Sequence, residues 1–189
     1  MNILLIEDMA GFALPIKACL EAMGHSVIWI IGAAGLRKNQ VVGILASANA
    51  KPLDDSWDGE PSRLLTVELK RIDLALVDGG LIGPFKNGWD IVPTLVANGI
   101  ICVGISGGGG GNPSLTKSGA RLDVPKEFVI LALRHAALNL GEALVQPAQV
   151  ASRLTEFTMR LQSLMERASA HKRRLDLGFP ILKSMERGA

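Results

Sequence analysis

Five polar side chains stand where short apolar runs stop. Glu7 and Asp8 follow NILLI at residues 2–6, Asp78 follows IDLALV at 72–77, Ser106 follows IICVGI at 100–105, and Lys126 lies just past an apolar patch at 121–124. Short apolar runs rich in β-branched residues read as buried strands of a parallel sheet, and acids and hydroxyls at their ends face the crevice where such sheets do chemistry. Three converging carboxylates repel one another. The usual relief is a hard divalent cation, and Mg²⁺ is bound through one or two carboxylates with water and phosphate completing its oxygen shell. A serine hydroxyl can donate to a phosphoryl oxygen and a lysine ammonium can balance its charge. Glu7, Asp8, Asp78, Ser106 and Lys126 together suit phosphoryl transfer onto a carboxylate.

The elements that must position these residues alternate. Residues 25–31 (HSVIWII) read as a second strand after 2–6, with a helix between them over 12–23 whose apolar positions recur at helical spacing and whose end is marked by Gly24. Residues 72–77, 100–105 and 121–124 supply three more strands, with helices expected over 90–97 and 127–144. Strand and helix in alternation predict a doubly wound α/β fold around a five-stranded parallel sheet, with helices on both faces. The composition agrees: 48% hydrophobic but only 4% aromatic residues, no Tyr and 21 Gly describe an aliphatic core with many tight turns.

Two segments stand outside that rhythm. About 40 residues separate the second strand from the third, roughly twice what one helix and two turns need, so an insert is expected over about residues 33–70. Residues 41–46 and 64–69 can be extra strands around a polar turn region at 54–62, with a helix over 33–46 as the alternative. Beyond Pro147, Leu154, Phe157, Leu161, Leu164 and Ala168 are spaced 3, 4, 3 and 4, followed by His171 and Leu175. That is a heptad seam on a helix expected over 148–175 and ended by Gly178 and Pro180. The domain division is therefore 1–146 for the α/β body and 147–189 for a helical extension. The seam offers pairing with a second copy through residues 150–175, or with another partner. The net charge of +2 hides an asymmetry, because residues 151–189 hold eight basic and four acidic side chains.

Taken in register, these pieces resemble a response-regulator receiver domain of two-component signalling. The family pattern is an acidic pair after the first strand, an acceptor Asp after the third, Ser or Thr after the fourth and Lys after the fifth. Here it is matched by Glu7-Asp8, Asp78, Ser106 and Lys126, with Gly119-Ala120 before the Lys and Phe128 after it. The resemblance spans about residues 1–140 and implies a flavodoxin-like fold and a signalling role in place of a classical enzyme's. It further implies that Asp78 accepts a phosphoryl group from a sensor histidine kinase or phosphotransfer protein. Asp8 and Asp78 would bind Mg²⁺, Glu7 would reach it through water, and Gly80 would offer its backbone carbonyl. The chain also departs from the pattern. Pro125 precedes the Lys where the family carries Pro after it, Asp123 occupies the usual place of an aromatic switch residue, and the loop after Asp78 is longer by about two residues. A non-phosphorylated relative of the family, binding a partner constitutively, is the alternative these departures suggest.

Other features read more simply. Cys19 and Cys102 have no metal-ligand spacing and are expected as buried, reduced thiols. The five glycines at 107–111 lack the Lys-Ser/Thr of a phosphate-binding loop and read as a connection. Lys172-Arg173-Arg174 supplies too little charge for tight nucleic-acid binding. No apolar run approaches the roughly 20 residues of a membrane span, and acids at positions 7 and 8 interrupt any signal-peptide core, so a cytoplasmic protein is expected.

Overall fold

The computed structural model describes residues 1–46, 63–81, 86–107 and 113–185. Five strands form one parallel sheet: β1 (Asn2–Ile6), β2 (Ser26–Ile30), β6 (Leu74–Asp78), β7 (Ile101–Ser106) and β8 (Leu122–Pro125). Their order is β2-β1-β6-β7-β8, with Ile6 opposite both Ile30 and Val77, Asp78 opposite Ile105, and Ser106 opposite Pro125. The central strands are buried on both faces, so their near-continuous aliphatic runs lie in the core: Ile3 to Ile6 and Leu74 to Val77 have no exposed surface. The fold class expected from the alternation is the one observed.

Helix α1 (Ala10–Ala22) follows β1 and buries Ala10, Ala13, Ile16 and Leu20 at helical spacing. It stops at Gly24, whose φ of +84° lets its N–H and that of His25 turn back onto the carbonyls of Glu21 and Leu20. Helix α2 (Gly88–Ala97) lies between β6 and β7, and its first turn is closed by a capping box of Asn87 and Asp90.

The insert is a second, antiparallel sheet of β3 (Gly32–Arg37), β4 (Gln40–Ile44) and β5 (Leu64–Glu68), in that order. It contains the two expected strands plus a third, and the helix alternative over 33–46 is overturned. Ala33, Val41 and Val67 of this sheet share one buried cluster with Ile30 of β2 and with Ile91, Val92 and Leu95 of α2. The sheet seats closely because residue 43 is Gly: a Cβ there would lie 2.5 Å from Ile30 Cγ2. Asn98 ties the two parts, its amide donating to Lys38 O on the β3–β4 turn and to Thr94 O, both at 2.8 Å. Among the described residues, the crossover from β2 to β6 is thus built from strands where alternation predicts a helix. The turn region at 54–62 lies outside the described residues.

Three helical regions differ from the pattern in the sequence. The helix expected over 127–144 is broken into a 3-10 turn at Lys126–Phe128, α4 (Val129–Arg134) and α5 (Leu140–Val145). Ala136 takes a left-handed φ of 53°, which lets Ala137 and Leu138 turn into the core, and the Asn139 side chain then accepts the Glu142 N–H to start α5. A six-residue helix, α3 (Pro113–Ser118), was not legible because it is too short for periodicity. The last helix, α6, runs from Pro147 to Met185, past Gly178 and Pro180. One missing hydrogen bond does not end a helix whose propagation is cooperative.

The chain divides into two compact units, Met1–Leu154 and Thr155–Ala189. Within the first, Val150 and Leu154 are buried, and Arg153 holds Glu142 of α5 through a pair of nitrogen–oxygen contacts, the shorter at 2.6 Å. The described part of the second, to Met185, is the remainder of α6. No helix among the described residues is long and apolar enough to cross a membrane.

Cys102 is buried and burial pushes its thiol up to about 12, whereas Cys19 is only half-buried, so the expectation of two buried thiols holds for one of them. Iodoacetamide under native conditions is expected to label Cys19 well before Cys102, as peptide mass spectrometry will report.

Candidate functional site

The sheet topology brings the five residues to one edge. Glu7 directly follows β1, Asp78 ends β6, Ser106 ends β7 and Lys126 directly follows β8, so all stand at the C-terminal ends of parallel strands. All are buried, as is Asp8. One ligand atom each from Glu7, Asp8 and Asp78 lie within 4.8 Å of one another. The ammonium of Lys126 stands between two of them, donating to Glu7 Oε1 at 2.9 Å and lying 3.0 Å from Asp78 Oδ2. The second contact is a charge contact without the alignment of a hydrogen bond, since Asp78 Oδ2 has no hydrogen-bond partner.

Placement of Lys126 does not depend on a proline after it. Pro125 ends β8 opposite Ser106, and Lys126 opens a tight 3-10 turn that directs its side chain back across the sheet edge. The ring of Phe12, on the first turn of α1, lies 5.2 Å from its Nζ and gives the ammonium a third, aromatic neighbour. Glu7 is held from three sides. Its N–H donates to Ile30 O at 3.1 Å, its carbonyl accepts the Trp29 indole N–H at 2.8 Å, and its Oε1 accepts the Met9 N–H at 3.1 Å. Nothing in the sequence singles out Phe12 and Trp29, because only the folded register brings β2 and α1 to this edge.

Gly88 is the other residue the sequence does not mark. Its N–H donates to Gly79 O at 3.1 Å, and a Cβ at this position would lie 1.8 Å from Asp78 O. Glycine is therefore what lets α2 start directly against the end of β6. Asp123, standing where the family carries an aromatic, pairs in register with Gly104, and a Cβ on Gly104 would touch both its Oδ1 and Leu115. Of the glycine run, Gly107 alone is described, and 108–111 lie outside the described residues.

The electrostatics are those of a site short of positive charge. Burial raises Glu7 from its ordinary value to about 8, Asp78 adds to the rise, and Lys126 opposes it. Asp78 is raised as well, by burial first, against the pull of Lys126 and the Gly80 N–H. Burial works against the charge on Lys126, but Glu7 and Asp78 outweigh it and hold the ammonium above its usual value. Three carboxylates and one ammonium leave two negative charges, which either protons or a divalent cation can meet. An all-oxygen donor set selects a hard ion such as Mg²⁺. Glu7 Oε2, Asp78 Oδ2 and Ser106 Oγ are buried without hydrogen-bond partners, which is what a cation and its oxygen ligands would satisfy. The residues present therefore fit the ion.

A pH dependence follows. Between the unfolded carboxylate range and about 8 the folded chain holds a proton on Glu7 that the unfolded chain has lost, so stability without metal falls as pH rises through that window. Asp78 acts in the same direction. Metal binding displaces the proton, so Mg²⁺ affinity is expected to rise by up to about tenfold per pH unit below pH 8. Titration at pH 6, 7 and 8, read by Trp29 fluorescence, checks this, and Glu7→Gln should flatten the dependence.

No family model matches the chain, and no curated protein matches it. Solved structures do. The receiver domain of a modulated diguanylate cyclase from Desulfovibrio desulfuricans G20 is 16% identical over 78% of this chain and 96% of its own, with a TM-score of 0.47. The non-phosphorylated HemR receiver domain from Leptospira biflexa is 21% identical over 76% and 94%, with a TM-score of 0.47. A CheY-like receiver domain protein from Methanospirillum hungatei JF-1 is 15% identical over 78% and 96%, with a TM-score of 0.48. The known structures this chain is similar to include many receiver domains of response regulators, and its own strand order, with β1 between β2 and β6, is the flavodoxin-like order.

Proposed function

We propose that residues 1–146 form a phosphoacceptor receiver of a two-component phosphorelay, with residues 147–189 as its helical extension. The observation that carries this reading is the Lys126 ammonium held 2.9 Å from Glu7 and 3.0 Å from Asp78 beside Asp8, at the C-terminal edge of the sheet. An Asp78 carboxylate oxygen attacks the phosphorus of a phosphohistidine on a sensor kinase or phosphotransfer protein. The phosphorus–nitrogen bond breaks, and its electron pair leaves with the histidine. Asp8, Asp78 and the Gly80 carbonyl, with Glu7 beside them, would hold Mg²⁺, which would supply positive charge for the oxygens of the transferring group. Ser106, whose hydroxyl is unpartnered, donates to one phosphoryl oxygen, and Lys126 moves its charge from the carboxylates onto another. Output is a change in protein contacts, in the cytoplasm, and no substrate is turned over.

Incubation with acetyl phosphate and Mg²⁺ tests the proposal by intact mass. Addition of one phosphoryl group is expected on the wild type and none on Asp78→Asn. A wild type that takes none, from acetyl phosphate or from a panel of kinases, refutes it. A second reading, a constitutive binding module that is never phosphorylated, is favoured by Asp123, paired in register with Gly104, at the place where a switch aromatic is usual. That reading requires no Mg²⁺ response dependent on Asp8 and Asp78.

A further inference from the structure

We propose that α6 beyond Leu154 is a docking strip for a partner helix whose flanks are acidic. Leu161, Leu164, Met165 and Ala168 fall within an arc of about 100° on this helix. Leu164 is 60% exposed and Met165 56%. The margins of the strip differ. Arg160 and Arg167, one heptad apart, line the edge next to Leu164, while the opposite edge carries the uncharged Thr158, Gln162 and Ser169. The acids are placed further from the strip: Glu166 is on the outer face, and Glu156, one step beyond the arginines, pairs with Arg160 along the helix. That pair is exposed on both sides, so an incoming carboxylate can replace it at little cost.

These charges decide between occupants. A second copy packed in parallel sets Arg160 against Met165, and one packed antiparallel sets arginine against arginine, so neither orientation gains an opposite-charge pair at the seam. A lipid surface is matched by a broad apolar face with cations on both margins, whereas over residues 157–169 this strip is narrow, spaced 3-4 and basic on one margin only. A helix with a leucine seam and glutamates facing Arg160 and Arg167 satisfies both the apolar strip and its charged edge.

The test uses the full chain and two labelled synthetic peptides of four heptads. Both have Leu at the seam, and the seam is flanked by Glu in one and by Lys in the other. The wild type is expected to be a monomer by light scattering at tens of micromolar and to bind the Glu peptide in preference, with binding weakened by salt. Arg160→Glu/Arg167→Glu should lower affinity for the Glu peptide by about tenfold or more and shift preference to the Lys peptide. Leu161→Asp should lose both. Equal binding of the two peptides, a stable dimer of the chain alone, or binding to phosphatidylserine vesicles without binding to the Glu peptide would each overturn the proposal.

Discussion

Lys126→Met is expected to lower the unfolding free energy by about 3–5 kcal/mol at pH 8 without Mg²⁺, the cost of leaving buried charge uncompensated. The ammonium is buried and is the cation placed within 3.0 Å of both Glu7 and Asp78. With it gone, the buried carboxylates can escape their repulsion only by taking protons or binding a metal. The loss should therefore be smaller at pH 6, where Glu7 is already protonated, and smaller again at pH 8 once millimolar Mg²⁺ is supplied. Urea unfolding at both pH values, with and without Mg²⁺, measures all four cases. A loss below about 1 kcal/mol that ignores pH and metal would mean that Lys126 is an ordinary surface-type pair.

Gly88→Ala is expected to cost about 1–3 kcal/mol or more by overpacking. The added Cβ would lie 1.8 Å from Asp78 O and 2.9 Å from Val77 Cγ1. The nearest of these is backbone, so no rotamer change relieves it: either α2 must lift or the end of β6 must move. Either shift displaces Asp78, so Mg²⁺ binding should weaken together with stability. Gly80→Ala is the control, because a Cβ there meets nothing within 4 Å. It should change stability by less than about 0.5 kcal/mol. Thermal unfolding with Mg²⁺ titration of both variants separates close packing at residue 88 from a general need for glycine near the site.

Much of this site is legible in the sequence because its chemistry stands at strand ends. NILLI, IDLALV and IICVGI are apolar enough to be recognised as buried strands, and the residue after each is then placed by the parallel topology. What is not legible depends on distant partners. β3 reads GAAGLR, with little strand propensity of its own, and is a strand because β4 pairs with it and Gly43 lets the small sheet settle on Ile30. Trp29 and Phe12 look like ordinary core residues until the register of β2 and the start of α1 carry them to Glu7 and Lys126. Gly88 looks like one glycine in a loop, and its role lies in the carbonyl of a residue ten positions earlier. The break between α4 and α5 escapes the sequence for a related reason: burial of Ala137 and Leu138 wins over the helical spacing of the surrounding leucines.

The central claim is that Asp78, among these carboxylates, accepts a phosphoryl group with Mg²⁺ in the site. Its most direct measurement is peptide mapping by mass spectrometry of protein treated with acetyl phosphate, with Mg²⁺ or with a chelator. One phosphoryl group is expected on the peptide containing Asp78, present only with Mg²⁺. A phosphoryl group on a peptide containing Ser106 or a histidine instead, or equal labelling with the chelator, would contradict it.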